Sequence, residues 1–459
     1  MRCSTACASG CSPKTCRCCI ESPLLGAGTI RSFAVALKRQ FGRGLWRHRD
    51  FLLLWSAQGI SAVGSRITRT ALPMAAILVI DASAYELGFL AVALSLPGVL
   101  VAWFAGGWVD RHRRRPLLIA TDLIRAVALT AIPLAAFQHV LSLPVLYAVA
   151  AVTGVCTVLF NLADHVFITD LVSRKRLLDA NSKREAIDAV AEISGPALGG
   201  ALVALWTAPI AILADAVTFV VSAFLIARIR KAEARPKPVA ATSFVDDVRT
   251  GIQVVFRTPA VRTLFCAMTM FTLCGSFMAS LYTLYALREL GLSPAQLGLA
   301  IGCGGVGGLI GAALAAPAAT RWGTRRTLLG SLALTAVMQA FIPLAPAVPW
   351  IAMLFLVAQQ LVGDGAMTVY LVNETTLRQR LLPQEALGRS AATWQVAAGL
   401  LTPAGALLGA LLAEAFGLRP TLWVLAAGFA AALLWLLVAR GTLPERHVDR
   451  ADRLHVESR

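Results

Sequence analysis

From about residue 50 onward, the chain alternates long apolar stretches with short polar segments. Uncharged stretches such as Leu87–Val109, Pro294–Thr320 and Pro420–Ala439 have the length that a helix needs to cross a bilayer, about 20 residues. The longer stretches Ala126–Ala163 and Thr327–Gly363 each accommodate two such helices. The pattern predicts twelve spans, at residues 51–80, 86–109, 115–137, 143–169, 186–206, 208–228, 261–287, 294–320, 326–344, 349–375, 388–414 and 420–440.

The composition supports this pattern. Of 459 residues, 57% are hydrophobic and 15% are charged, whereas a soluble globular protein has about 25% charged residues. A soluble enzyme and a secreted disulfide scaffold are therefore excluded. The predicted fold class is an all-α polytopic membrane protein, with twelve transmembrane helices in two six-helix halves.

The basic residues indicate how the chain is oriented. Nearly all of the 42 Lys and Arg residues lie in the tails or near the loops that follow even-numbered spans, and the opposite side holds only Arg288 and Arg419. Because cytoplasmic loops are enriched in Lys and Arg, both termini and the long loops are predicted to be cytoplasmic. The net charge of +17 is thus a topology signal, and we expect no nucleic-acid partner.

A polar segment in the middle of the chain separates two related halves. Gly195–Gly200 in span 5 resembles Thr402–Gly409 in span 11, and Asp110–Arg115 after span 2 resembles Arg321–Arg326 after span 8. Such a repeat is typical of secondary transporters, whose substrate site lies between the repeats. The predicted segments are a disordered cytoplasmic tail (1–50), a first six-helix bundle (51–228), a cytoplasmic linker (229–260), a second six-helix bundle (261–440) and a cytoplasmic tail (441–459).

The sequence Gly106–Arg115, GGWVDRHRRR, resembles the signature loop of the major facilitator superfamily. Further stretches resemble the branch of this superfamily that contains the enterobactin exporter: Gly64–Pro73, Asp122–Ala126, Ala180–Asn181, Gly195–Pro196, Asp215–Phe219, Arg288–Ser293, Leu377–Gln379 and Gly388–Arg389. The resemblance extends over almost the whole chain between the tails. It implies a major facilitator fold in a bacterial cytoplasmic (inner) membrane.

The resemblance also implies a function: proton-coupled export of a small organic molecule, such as a siderophore or a drug-like compound, by alternating access. The implied partners are the lipid bilayer, the small-molecule substrate and protons, and we expect a monomer. Two alternatives stay open, because no single residue indicates the direction: import or uniport of a small metabolite, and a transport-inactive sensor. No loop carries a cluster of Asp, Glu or His suited to catalysis, so we predict no enzyme activity.

In the superfamily, the signature loop closes the cytoplasmic side, and its matching residues here are Gly106, Asp110, Arg111, Arg114 and Arg115. Asp110 lies at the end of span 2, where a carboxylate would meet the positive end of a neighbouring helix. We therefore predict a gating role for this motif. The alternative is that its arginines only fix the topology.

Ionisable side chains inside the spans are informative, because a charge at the helix centre costs about 2.5–3.5 kcal/mol on insertion scales. Asp364 lies about halfway along span 10, beside two glycines, and Arg66 and Arg69 lie at a similar depth in span 1. These three residues form the candidate proton or substrate site. Asp364 would be the protonatable group, and the arginines would suit an anionic substrate. The alternative is that all three are paired and structural.

Asp122, Arg125 and Asp215 are predicted to be structural charges within the membrane. Asp122 and Arg125 are one turn apart in span 3 and can pair with each other. Asp215 in span 6 matches the depth of the span 1 arginines, so we expect it to pair with them. Glu192 and Arg184, near the predicted start of span 5, are assigned to a solvated helix end.

Two motifs that suggest cofactors lack the required context. Gly302–Gly307 matches the dinucleotide pattern G-x-G-x-x-G, but it lies inside an uncharged span without a preceding strand, so it predicts helix packing. Six of the ten cysteines precede residue 20, and their C-x-x-C, Cys16–Cys19, lacks the second pair of a zinc site. We therefore predict no nucleotide, cofactor or metal. Packing is also predicted for the motif in span 5, Gly195, Pro196, Gly199 and Gly200.

The charge asymmetry generates a topological prediction. Single cysteines introduced at Ala82, Ser142 and Pro346 should react with a membrane-impermeant thiol reagent added to intact cells, whereas cysteines at Arg113 and Ser243 should not. Lysed cells, in which every site is reachable, provide the control. Reaction of the cysteine at position 243 from outside would contradict the twelve-span topology.

Overall fold

The structure, a computed structural model, describes residues 45–173, 176–231 and 244–444. Within these ranges it does not describe the side chains at positions 47, 103, 104, 106–108, 110, 244–248 and 279. Most of the two predicted tails, the N-terminal cysteines and part of the predicted linker therefore lie outside the described residues.

Within these ranges, twelve helices are long and apolar enough to cross a membrane, as the sequence pattern predicted. They are α1 (Arg49–Ile80), α2 (Ala84–Arg111), α3 (Arg114–Phe137), α4 (Leu143–Leu171), α5 (Leu177–Leu205), α6 (Ala208–Ala227), α7 (Pro259–Glu289), α8 (Pro294–Trp322), α9 (Thr324–Leu344), α10 (Pro349–Leu381), α11 (Gln384–Phe416) and α12 (Leu418–Val438). The predicted fold class is confirmed. The largest difference from the prediction is at α5, which begins at Leu177 and not near residue 186.

The connections define two ends of the helix bundle. The loops after the odd-numbered helices contain only a few residues, and we call this end the short-loop end. The opposite end, where the chain enters α1 and leaves α12, is called the basic end after its Lys and Arg residues. At the short-loop end, the sequence supplies helix caps: Ser83 with Glu86 and Ser293 with Gln296 form reciprocal capping boxes at the starts of α2 and α8.

One helix of the predicted linker, Phe244–Arg257, packs on α11. Its Gly251 is so close to α11 that a Cβ atom there would overlap the Arg389 carbonyl oxygen. Val255 is buried in a small cluster with Val261 and Leu382. This linker helix is therefore docked on the second half of the chain.

Glycines bring the two halves into contact along α5 and α8. Gly200 and Gly298 face each other, and a Cβ atom on either would lie 2.8 Å from the Cα atom of the other. Closer to the basic end, a Cβ atom on Gly302 would lie 2.8 Å from the carbonyl oxygen of Ile193. In lipid, where the hydrophobic effect does not drive helices together, such small residues permit the close van der Waals contact that does.

The other side of α8 packs on α10 by the same means. Cβ atoms on Gly307 and Gly311 would overlap the carbonyl oxygens of Leu361 and Gly365. The G-x-G-x-x-G sequence of α8 is thus a packing surface that contacts both α5 and α10.

The span 5 motif also contacts two helices. Gly195 and Gly199 lie against α1, whereas Gly200 and the carbonyl oxygen of Pro196 lie against α8. One glycine-rich stretch of α5 therefore joins α1 to the second half of the chain.

The α5–α8 contact generates a stability prediction. Gly298→Ala should lower the free energy of unfolding by about 1–3 kcal/mol, because the added methyl group has no free space and the helices must separate. Thermal unfolding of the purified variant in detergent measures this loss. Gly330→Ala in α9 is the control, because a Cβ atom at Gly330 would meet no atom within 4 Å. Equal unfolding temperatures for the two variants would contradict the tight contact.

Candidate functional site

A cavity of about 550 Å³ lies in the membrane-spanning core, within the size range of pockets that bind drug-sized ligands. Its walls come from α1, α2, α3, α4 and α6 of the first half, and Thr402 and Ala406 of α11 contribute from the second half. The lining is mainly apolar, with hydroxyl groups from Ser and Thr side chains. Its charged residues are Arg69, Arg125 and Asp215.

Arg69 reaches the cavity from the middle of α1, and its side chain is exposed there. In the part of the chain that the structure describes, Arg69 makes no ion pair and no hydrogen bond. Arg66, almost one turn earlier, has its Nη2 atom 2.6 Å from Oε2 of Glu192 in α5. The two arginines therefore differ: one is paired between helices, and the other faces the cavity.

Asp215 of α6 is buried and accepts hydrogen bonds from the hydroxyl groups of Thr68 (2.5 Å) and Thr218 (2.9 Å). Its predicted pairing with the span 1 arginines is wrong. Because successive helix positions differ by about 100°, Thr68 faces α6 while residues 66 and 69 point elsewhere. The helices approach closely because Gly64 has no side chain: a Cβ atom there would overlap Asp215 and Thr218.

Asp122 and Arg125 form an ion pair within α3, and both side chains are buried. The guanidinium of Arg125 also lies over two aromatic rings, 4.7 Å from the ring centre of Phe160 and 4.0 Å from that of Phe219. Stacking on aromatic faces suits a guanidinium that is removed from water. The charge of Arg125 is therefore largely compensated by its own surroundings.

Asp364 does not line this cavity. It directly follows a π-helical turn of α10, Gln359–Gly363, and its carboxylate faces α8, where a Cβ atom on Gly304 would lie 2.5 Å from Oδ2. The described residues include no ion-pair partner for Asp364, so the alternative in which it pairs with Arg66 or Arg69 is not observed there. Its role in proton or substrate binding stays a prediction.

The structure gives Glu192 and Asp164 ion-pair partners that the sequence did not predict. Glu192 was assigned to a solvated helix end, but it pairs with Arg66, because α5 begins at Leu177 and this places Glu192 near the middle of the helix. Arg184 pairs instead with the buried Asp164 of α4, at 2.8 Å. Counting residues from the true start of α5 would have identified Glu192 as an intramembrane charge.

The arginines of the signature loop bind the ends of other helices in the first half. Arg114 is 3.1 Å from Asp170 of α4, and Arg115 donates hydrogen bonds to the carbonyl oxygens of Ile226 (3.2 Å) and Ala227 at the end of α6. Arg111 is the exposed last residue of α2. The side chain of Asp110 and position 106 are not described, so the gating role stays a prediction.

One ion pair joins the halves at the short-loop end. Asp81, which ends α1 in a left-handed conformation (φ 60°), pairs with Arg288 at the end of α7. Arg419 of α12 donates a hydrogen bond to the hydroxyl group of Tyr285 (3.1 Å), one turn before Arg288. The Asp81–Arg288 pair therefore connects the halves at this end, whereas the Arg419–Tyr285 hydrogen bond lies within the second half.

The described ranges contain no group of three His, Cys, Asp or Glu side chains arranged to hold a metal ion. Four cysteines are described, and none of them forms a disulfide with another described cysteine. They are Cys156, Cys266, Cys274 and Cys303. The cavity is therefore the main candidate site in the part of the chain that the structure describes.

The family model described as "Transmembrane secretion effector" (MFS_3) matches residues 45–458. The chain belongs to this major facilitator family. It is similar to the multidrug efflux pump Tap of Mycolicibacterium fortuitum, with 27% identity over 81% of this chain and 90% of that protein. As a family member, it is a multi-pass bacterial membrane protein whose environment is the lipid bilayer and whose ligand is a small molecule.

Solved structures agree with the major facilitator fold. The nucleoside transporter NupG superposes with a TM-score of 0.71 at 9% identity, covering 85% of this chain and 99% of NupG. A bacterial homologue of the iron transporter ferroportin, at 20% identity, superposes with a TM-score of 0.65 in its inward-facing state and 0.55 in its outward-facing state. These cover 86% and 85% of this chain, respectively, and 99% of the homologue.

The buried ion pair of this family member generates a stability prediction. Asp122→Asn should lower the free energy of unfolding by about 3–5 kcal/mol, because it leaves Arg125 buried without its carboxylate. The additional change Arg125→Met should restore part of that loss. Thermal unfolding in detergent measures both effects.

The matched control is Asp81→Asn, which removes an ion pair whose aspartate side chain is 91% exposed, against 0% for Asp122. Exposed pairs contribute about 0–1 kcal/mol. An Asp122→Asn variant as stable as Asp81→Asn would show that the buried pair does not stabilise the fold.

Proposed function

We propose that this protein exports small organic molecules from the cytoplasm by proton-coupled alternating access. The observation that carries the proposal is the cavity in the membrane-spanning core, which both halves line and which contains a carboxylate and an arginine from α6 and α1. A soluble exterior domain is not required for such a function, because the binding site lies within the helices. The similarity to Tap, named a multidrug efflux pump, supports export rather than import.

The conformation supports loading from the basic end. Contacts between the halves include the Asp81–Arg288 ion pair at the short-loop end and the approach of Gly200 to Gly298 along α5 and α8. They also include the packing of α2 on α11, where a Cβ atom on Gly88 would overlap Ala410. The better superposition on the inward-facing ferroportin homologue points the same way. By the positive-inside rule, the basic end faces the cytoplasm. The described state would therefore be closed to the outside.

Two carboxylates are candidates for carrying the proton. Asp215 lines the cavity and is held by two hydroxyl groups, without an ion-pair partner in the described ranges. Asp364 lies where α10 meets Gly304 of α8, and Glu192 of the first half contacts α8 at the adjacent Gly305. We favour Asp215 because it lies in the wall of the cavity, so that a change in its protonation can act on a bound substrate. Asp364 remains the second candidate, because it lies close to the α5–α8 contact between the halves, which rocking of the halves would change.

The protein is proposed to transport a broad range of drug-like molecules. The cavity wall is mainly apolar, and apolar contacts do not require a ligand to adopt one orientation. Resemblance to the enterobactin-exporter branch, and with it a siderophore as substrate, stays a prediction. The protein is proposed to act as a monomer, since a single chain contains both halves and the whole cavity.

Transport by everted membrane vesicles tests the proposal. Vesicles that contain the protein should accumulate at least one member of a panel of anionic, neutral and cationic amphipathic dyes when respiration energises them, and an uncoupler should abolish the accumulation. Vesicles from the same strain without the protein provide the background. Accumulation that is unaffected by the uncoupler, for every transported dye of the panel, would rule out proton coupling.

The proton site generates a specific prediction. Asp215→Asn should reduce uncoupler-sensitive dye accumulation more than tenfold while dye binding to the purified protein changes less than twofold, because the amide keeps the shape but cannot ionise. Glu414→Gln is the control, because Glu414 is an exposed carboxylate of α11. If Asp364→Asn gives this pattern and Asp215→Asn does not, the proton site is Asp364.

A further inference from the structure

We propose that Arg69 binds an anionic group of the transported molecule, so that the preferred substrates are amphipathic organic anions. This inference rests on the proposed function, because it assigns a substrate class to the cavity of that transporter. The observation behind it is an arginine in the middle of a membrane-spanning helix, exposed to a cavity and without an acidic partner in the described residues.

Arg69 differs from Arg66, which is a structural charge paired with an acidic residue. Arg66 is in the same helix, and its guanidinium is neutralised by Glu192 at 2.6 Å. Glu192 also acts electrostatically on Arg69, but it is a single carboxylate for two guanidinium groups. Arg66, Arg69 and Glu192 together therefore carry one excess positive charge, and Arg69 is the residue that presents it to the cavity.

The other charges of the cavity do not compensate Arg69. Arg125 pairs with Asp122 and stacks on Phe160 and Phe219, so that pair adds no net charge. Asp215 accepts hydrogen bonds from the hydroxyl groups of Thr68 and Thr218 and forms no ion pair with Arg69 in the described residues. The side of the cavity formed by Arg69 is thus electropositive.

An uncompensated guanidinium surrounded by protein and lipid attracts an anion strongly, because little water remains to screen it. The planar guanidinium presents parallel N–H donors, which match the two oxygens of a carboxylate or the oxygens of a sulfonate or phosphate. An arginine is therefore better suited than a lysine to select such a group by geometry.

The other residues of the cavity indicate the kind of molecule that carries the anionic group. Leu72, Leu90, Leu94 and Phe219 supply apolar wall, and Ser95 and Thr157 supply hydroxyl groups. A volume of about 550 Å³ accommodates a molecule of several rings. The ligand class that matches both features is an aromatic or aliphatic body with one acidic group.

Equilibrium binding of one aromatic body with three different charges tests the inference. The probes are 1-pyrenebutyrate, its neutral amide and the corresponding quaternary ammonium compound. Their binding to purified protein in lipid nanodiscs is measured by energy transfer from tryptophan, with protein-free nanodiscs subtracted. We expect wild-type protein to bind the butyrate at least tenfold more tightly than the amide, and the ammonium compound less tightly than either.

Three variants identify Arg69 as the cause. Arg69→Gln should weaken butyrate binding at least tenfold and change amide binding less than twofold, whereas Arg69→Lys should retain part of the preference. Arg228→Gln is the matched control, because Arg228 stacks on Phe224 at the basic end of α6, away from the cavity. Its binding constants should equal those of the wild type.

The inference is overturned if wild-type protein binds the butyrate no more tightly than the amide. It is also overturned if Arg69→Gln weakens both ligands equally, since that result indicates a structural role. The unfolding temperature of each variant, measured in the same nanodiscs, detects a general loss of fold. Because this readout needs no energised membrane, its outcome is separate from that of the vesicle experiment that tests proton-coupled export.

Discussion

Hydrocarbon solvates charge poorly, so an ionised side chain within the helices is either compensated by the protein itself or placed in a cavity. The first half meets this constraint with interlocking pairs: Arg66 with Glu192, Arg184 with Asp164, and Arg125 with Asp122. Two of the three pairs connect different helices, so they also determine which helices are neighbours. The charged residues that have no partner in these pairs are then the ones available for function.

Close helix packing makes those pairs possible. Gly64 lets α1 approach α6 until Thr68 reaches Asp215, and Gly195 lets α5 approach the α1 segment that carries Arg66. Replacing either glycine would separate helices whose polar side chains depend on that distance. The glycines of α5 and α8 extend the same close contact across the boundary between the halves. Packing and electrostatics therefore do not contribute independently to the stability of this protein.

The sequence predicted the helices well because their signal is local: apolar length, capping residues and the distribution of Lys and Arg. It also predicted that Asp122 and Arg125 could pair, because both lie on one helix. Partners on different helices were predicted less well. Asp215 was matched by depth to arginines, but rotation about α1 directs Thr68 toward it instead. Glu192 was missed because α5 extends nine residues beyond its apolar core toward the basic end, starting at Leu177.

The contact between Asp81 and Arg288 differs from the buried pairs in its exposure to solvent. Dissolved ions screen exposed charges over about 8 Å at physiological ionic strength, whereas buried pairs are screened much less. Added salt would thus weaken this contact between the halves and leave the pairs of the first half almost unchanged. In the proposed orientation, the salinity of the surrounding medium would shift the balance between the two access states without any change in substrate.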